Sequence, residues 1–125
     1  MPKYIKSKNQ IAGIRKSCHA MAAIFRELEA LVKPGVSTGD LELAALAMIE
    51  AAGGKPSFKG YKSDRRSPAF PTALCASLNN EIVHAPALPS RVLKAGDIIK
   101  LDCGMVLDGY FSDMARTFAV GAISK

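Results

Sequence analysis

Tryptophan is absent from the 125 residues, and histidine occurs only twice, at His19 and His84. A site built on several imidazoles is therefore excluded unless it is completed elsewhere. Cysteine is scarce as well. Cys18, Cys75 and Cys103 are odd in number and scattered, with no Cys-x-x-Cys pair, which excludes a disulfide framework and a cysteine-rich zinc site. All three read as reduced, packed thiols. No apolar stretch approaches the roughly 18 uncharged residues of a membrane-spanning helix, and the opening Met-Pro-Lys-Tyr-Ile-Lys lacks the hydrophobic run of a secretory signal. A cytoplasmic chain with no membrane contact is the expectation.

What is present is the balance of a folded domain, 49% hydrophobic and 22% charged residues, in a length that allows one core over residues 1–125 and no second domain. Seventeen Lys and Arg against eleven Asp and Glu leave a net charge of +6, which favours loose attraction to nucleic acid or other polyanions. From Lys8 to Lys33 apolar residues recur in steps of three and four, at Ile11, Ile14, Cys18, Met21, Phe25, Leu28 and Val32, which predicts a long amphipathic helix. Lys33-Pro34-Gly35 stops it. Ser37 or Thr38 then caps a second helix over 39–52, with Leu41, Ala45, Met48 and Ala52 facing inward and Gly53-Gly54 at its end. Residues 59–71, with Gly60, Pro68, Pro71 and the cluster Lys62, Asp64, Arg65 and Arg66, have no period and predict an exposed loop. Residues 74–83 read as a strand broken by a turn or bulge at Asn79-Asn80.

The last segment carries the chemistry. Ile98 to Leu107 and Tyr110 to Val120 are strand-like runs separated only by Asp108-Gly109, a strong signal for a two-residue type I′ turn. That turn sets Gly104 opposite Asp113, and alternation then puts Asp102 and Asp113 on one face as diagonal neighbours about 7 Å apart or less. Gly104 contributes no side chain between them. Two like charges so placed repel and lose hydration, a conflict that a divalent cation removes. Exposure to solvent, or pairing with Lys100 or Arg116, is the alternative for these aspartates. His84, at the end of an apolar run and before a proline-rich loop, fits the edge of a site, with an ordinary core or surface place as its alternative. His19 reads as structural or solvated.

Taken together, Phe58-Lys-Gly-Tyr61, Phe70-Pro71, Cys75, Ser77-Leu-Asn79, Glu81-Ile-Val-His84, Leu93-Lys-Ala-Gly-Asp97-Ile and the stretch from Asp102 to Asp113-Met-Ala-Arg-Thr-Phe118 resemble the type I methionine aminopeptidases. Pro34 to Gly39 between the two helices fits as well. The resemblance implies an α+β fold, half of the pita-bread architecture, with two helices packed on an antiparallel sheet that ends in a C-terminal hairpin. It implies removal of the initiator methionine from new polypeptides, with the N-terminal peptide of the nascent chain as partner and proximity to the ribosome. Asp102 and Asp113 match metal ligands for two divalent ions (cobalt, manganese, iron or zinc), with Asp113 bridging both. His84 matches the histidine near the scissile amide, Phe70 and Cys75 match the methionine pocket, and Tyr61 is a further substrate-binding candidate.

The family draws its remaining ligands, a histidine and glutamates, and its general base from a second half of the fold. The chain alone is therefore expected to bind metal weakly, to have little or no activity, and to associate with itself or with a complementing C-terminal half. Phe70 also lies nine residues after Tyr61, farther than in the family pattern, and His84-Ala-Pro-Ala-Leu replaces the usual His-Gly-Ile-Pro. Two other readings stand beside the enzyme. One is a non-catalytic peptide-binding module of the same fold. The other is a small basic nucleic-acid binder, which has charge but no recognition motif behind it.

Overall fold

A computed structural model describes residues 4–124. Its first helix, α1 (Lys8–Leu31), starts at a reciprocal cap in which Ser7 Oγ accepts from the Gln10 N–H and Gln10 Oε1 accepts from the Ser7 N–H. It ends two residues before the expected Lys33, with Val32 as C-cap and Gly35 in the left-handed region (φ +90°). Met21, Phe25 and Leu28 point into the core as the periodicity predicts, but the N-terminal half of the helix differs. There Ile11 and Cys18 are exposed, and Ser17 is buried instead because its hydroxyl bonds Ser112 Oγ on the sheet at 2.9 Å. The expectation of a packed thiol thus fails for Cys18 and holds for Cys75 and Cys103.

The second helix, α2 (Thr38–Ala51), begins one residue earlier than expected, with Ser37 as N-cap. Its hydroxyl accepts from the Asp40 N–H at 3.0 Å, and the Asp40 carboxylate accepts from the Ser37 N–H and hydroxyl, which lowers its pKa. Leu41 and Ala45 are fully buried, whereas Ile49 takes the inner position expected of Met48 and Ala52, which are only partly covered. Thr38 Oγ1 both donates to Leu88 O and accepts from Leu88 N–H. Gly39 lies so close to the same segment that a Cβ there would fall 2.6 Å from Pro89 N.

The sheet is antiparallel, with strands β1 (Lys55–Pro56), β2 (Leu74–Leu78), β3 (Ile98–Leu107) and β4 (Tyr110–Ala119). Central β3 pairs with β4 along one edge and with β2 and then β1 along the other. β1 is short and carries a proline, so no strand period marks it in the sequence. β2 is five residues shorter than the run 74–83, because Asn79 (φ +51°) turns the chain and leaves Ile82 80% and Val83 55% exposed. The helices cover one face of the sheet. Ile99, Leu101, Cys103, Met105 and Phe118 point into it and join Met21, Phe25, Leu28, Leu41 and Ile49 in a single core. Among the described residues no helix is long and apolar enough to cross a membrane.

Candidate metal centre

Hairpin geometry brings the two aspartates together. Asp108 (φ +51°) and Gly109 (φ +79°) form the expected turn, Leu107 faces Tyr110, and Gly104 faces Asp113. Asp102 and Asp113 consequently lie on the open face of the sheet, away from the helices, in a cleft of about 840 Å³. Asp113 is exposed and Asp102 half-buried, and neither makes an ion pair with a described residue. Lys100 instead donates to Asn79 O, and the Arg116 guanidinium lies 5.7 Å from the Phe118 ring. Asp102 Oδ1 is buried and has no hydrogen-bond partner among the described residues. The Asp102 pKa is raised, first by burial, then by the charge of Asp113 and by the carboxyl–carboxyl hydrogen bond that protonation allows; His84 pulls it the other way.

The space above Gly104 is filled. A Cβ there would collide with Ser57 Oγ and the Phe58 ring, which cross the sheet after β1, held by a 3.0 Å bond from Ser57 N–H to Gly104 O. Absence of a side chain at Gly104 thus admits a neighbouring segment and does not leave a gap. Cys75 pairs with Asp102 across β2 and β3 and lies on the same face. Burial and the Asp102 charge push its thiol up to about 11, against a lowering by the His84 backbone N–H, so it stays neutral. Cys103 is pushed up to about 12, chiefly by burial.

His84 has φ +64°, a region that non-glycine residues seldom occupy and that recurs at functional sites. The segment after it runs beside β2, with Ala76 N–H donating to Ala85 O at 2.7 Å. Arg91 braces this loop: its guanidinium donates to Ala76 O at 3.0 Å and Pro86 O at 3.2 Å and pairs with Glu81. Nothing in the sequence pattern singles Arg91 out. Tyr61 and Phe70 are held together by bonds of 2.8 Å from Gly60 N–H to Phe70 O and from Phe70 N–H to Tyr61 O. All six residues singled out in the sequence, Tyr61, Phe70, Cys75, His84, Asp102 and Asp113, line the one cleft. Sequence reasoning assigned no site role to Ser57, Phe58, Ser63, Phe111 and Ser112, which line it as well.

The donor set fits a divalent cation in part. Two facing carboxylates, one with an orphaned oxygen, suit a hard or borderline ion, yet among the described residues no group of three or more His, Cys, Asp or Glu forms a fuller ligand set.

The sequence profile of metallopeptidase family M24 matches residues 12–125. The methionine aminopeptidase of Borreliella burgdorferi is 42% identical over 122 residues, covering 97% of this chain and 45% of the relative. That of Treponema pallidum is 44% identical over 121 residues, covering 96% of this chain and 44% of the relative. The chain spans about half the length of the curated relatives it matches. The crystal structure of methionine aminopeptidase from Thermotoga maritima superposes with a TM-score of 0.88 at 34% identity, over 97% of this chain and 46% of that one. Prolidase from Pyrococcus furiosus shares the fold, with a TM-score of 0.76 at 21% identity over 97% of this chain and 32% of its own.

Proposed function

The chain belongs to metallopeptidase family M24, and from that premise we propose that residues 1–125 form the N-terminal half of a cytoplasmic methionine aminopeptidase. The observation that carries this reading is the pair Asp102 and Asp113, together in a cleft with His84 while Asp102 Oδ1 lacks a partner among the described residues. Their carboxylates would hold the divalent cations. When bound, the cations supply Lewis acidity towards a carbonyl and an activated water. His84, on its braced loop, positions the scissile amide. Phe70, Cys75 and Tyr61 enclose the methionine side chain, for which a neutral thiol and two rings give an apolar wall. Partners on this reading are the N termini of nascent polypeptides near the ribosome and, on the open sheet face, a complementing C-terminal half or a second copy.

The test is hydrolysis of a Met-Ala-Ser peptide with cobalt, manganese or iron, by the chain alone and by the chain complemented with a C-terminal half. Little or no turnover alone and metal-dependent turnover on complementation are expected. Asp113→Ala should abolish it. His84→Ala should lower turnover with metal content nearly unchanged. Strong turnover by the 125-residue chain alone would overturn the half-site reading. Peptide binding without turnover in the complemented form would favour the non-catalytic module.

A further inference from the structure

The eight residues between Tyr61 and Phe70 form an ordered loop at the mouth of the cleft. Its neck is the pair of backbone bonds between Gly60, Tyr61 and Phe70. At its tip, Asp64 Oδ1 accepts from the Arg66 N–H at 2.7 Å and the Ser67 N–H at 2.8 Å, and the Ser63 and Ser67 hydroxyls lie 2.9 Å apart. The single acid of the loop is thus engaged by backbone. Lys62, Arg65 and Arg66 are exposed and make no ion pair with any described residue. Both feet of the loop line the cleft, through Tyr61 and Ser63 on one side and Pro68 and Phe70 on the other.

We propose that this loop is a selectivity element that favours peptides with acidic side chains a few residues beyond the first. The inference rests on the aminopeptidase reading. With the first residue and its amine held at the floor beside Asp102 and Asp113, later residues leave past this loop, whose feet line the cleft and whose exposed Lys62, Arg65 and Arg66 pair with no described residue. Favourable charge at a rim raises encounter and affinity and fades with salt. The contact therefore acts on binding and not on the chemistry at the floor.

The experiment measures fluorescence polarisation of dye-labelled Met-Ala-Ser-Glu-Glu-Glu and Met-Ala-Ser-Lys-Lys-Lys, each with a free and an acetylated N terminus, on the chain alone and complemented with a C-terminal half, with metal withheld so that neither peptide is cut. The acidic peptide should bind about tenfold tighter than the basic one at low salt, with the ratio falling towards one near 0.5 M salt. Lys62→Ala/Arg65→Ala/Arg66→Ala should remove most of that ratio. Arg26→Ala/Lys33→Ala/Lys94→Ala, which deletes the same charge from exposed positions outside the cleft, should leave most of it. Equal loss in both variants, or none in the loop variant, overturns the proposal. So does loop-dependent binding of an RNA oligonucleotide without discrimination between the peptides. Equal binding of free and acetylated peptides by the complemented form, or its failure to bind any peptide, overturns the aminopeptidase reading and the inference with it.

Discussion

Asp102 is a residue whose place in the fold works against stability. Its buried Oδ1 has no partner among the described residues, and burial and Asp113 hold its pKa above the usual carboxylate value. A carboxyl whose pKa rises on folding contributes stability below its unfolded pKa, the ordinary value of 3.8, and loses that contribution as pH climbs through the raised one. At neutral pH the charge is therefore a burden in the metal-free chain. Asp102→Asn should raise thermal stability at pH 7 by about 0.5–1 kcal/mol after solvent screening, a gain that shrinks towards pH 4. Thermal unfolding followed by circular dichroism at both pH values checks this, and an unchanged or lowered midpoint at pH 7 would contradict it. The aspartate pair was legible in the sequence because alternation from one turn fixes which side chains share a face. Ser17 was not: its burial depends on Ser112 across a sequence separation that no local period reports. Arg91 escaped for the same reason, since its partners Ala76 and Pro86 are backbone carbonyls of other segments.

At the scale of elements, the long ones were legible and the short ones were not. α1, α2 and the β3–β4 hairpin are set by repeated spacing and a turn dipeptide, so their ends fall within two residues of expectation. β1 has no period to read, and β2 stops at Leu78 although apolar Ile82 and Val83 follow. The joint between α2 and β2 is a buried carboxylate that local pattern does not reveal. Glu42 accepts from the Ala73 N–H at 2.7 Å and the Leu74 N–H at 2.8 Å, fixing the strand that carries Cys75 to the helix layer. Glu42→Ala strands two buried donors and should cost about 2–4 kcal/mol. Glu42→Gln keeps an acceptor and should cost less. Urea unfolding of both variants tests the order, and equal losses would show that packing and not hydrogen bonding holds the joint.

For the whole molecule, helices on one face leave the other face of the sheet open. Phe111 is 67% exposed there, and Ile82 and Val83 border a second hollow of about 200 Å³ with Lys100, Asp102 and Ala115. Apolar surface next to the two aspartates suits coverage by a complementing half or a second copy. Sedimentation should show reversible self-association as concentration rises, weakened by Phe111→Ser; a monomer at high concentration would contradict this. On the proposed function, Asp102 and Asp113 act as an incomplete centre for a divalent cation. The most direct measurement is titration of the metal-free chain with manganese, followed by the paramagnetic resonance of the free ion. Weak binding that either Asp102→Asn or Asp113→Asn removes is the predicted result, and binding that survives both substitutions would contradict it.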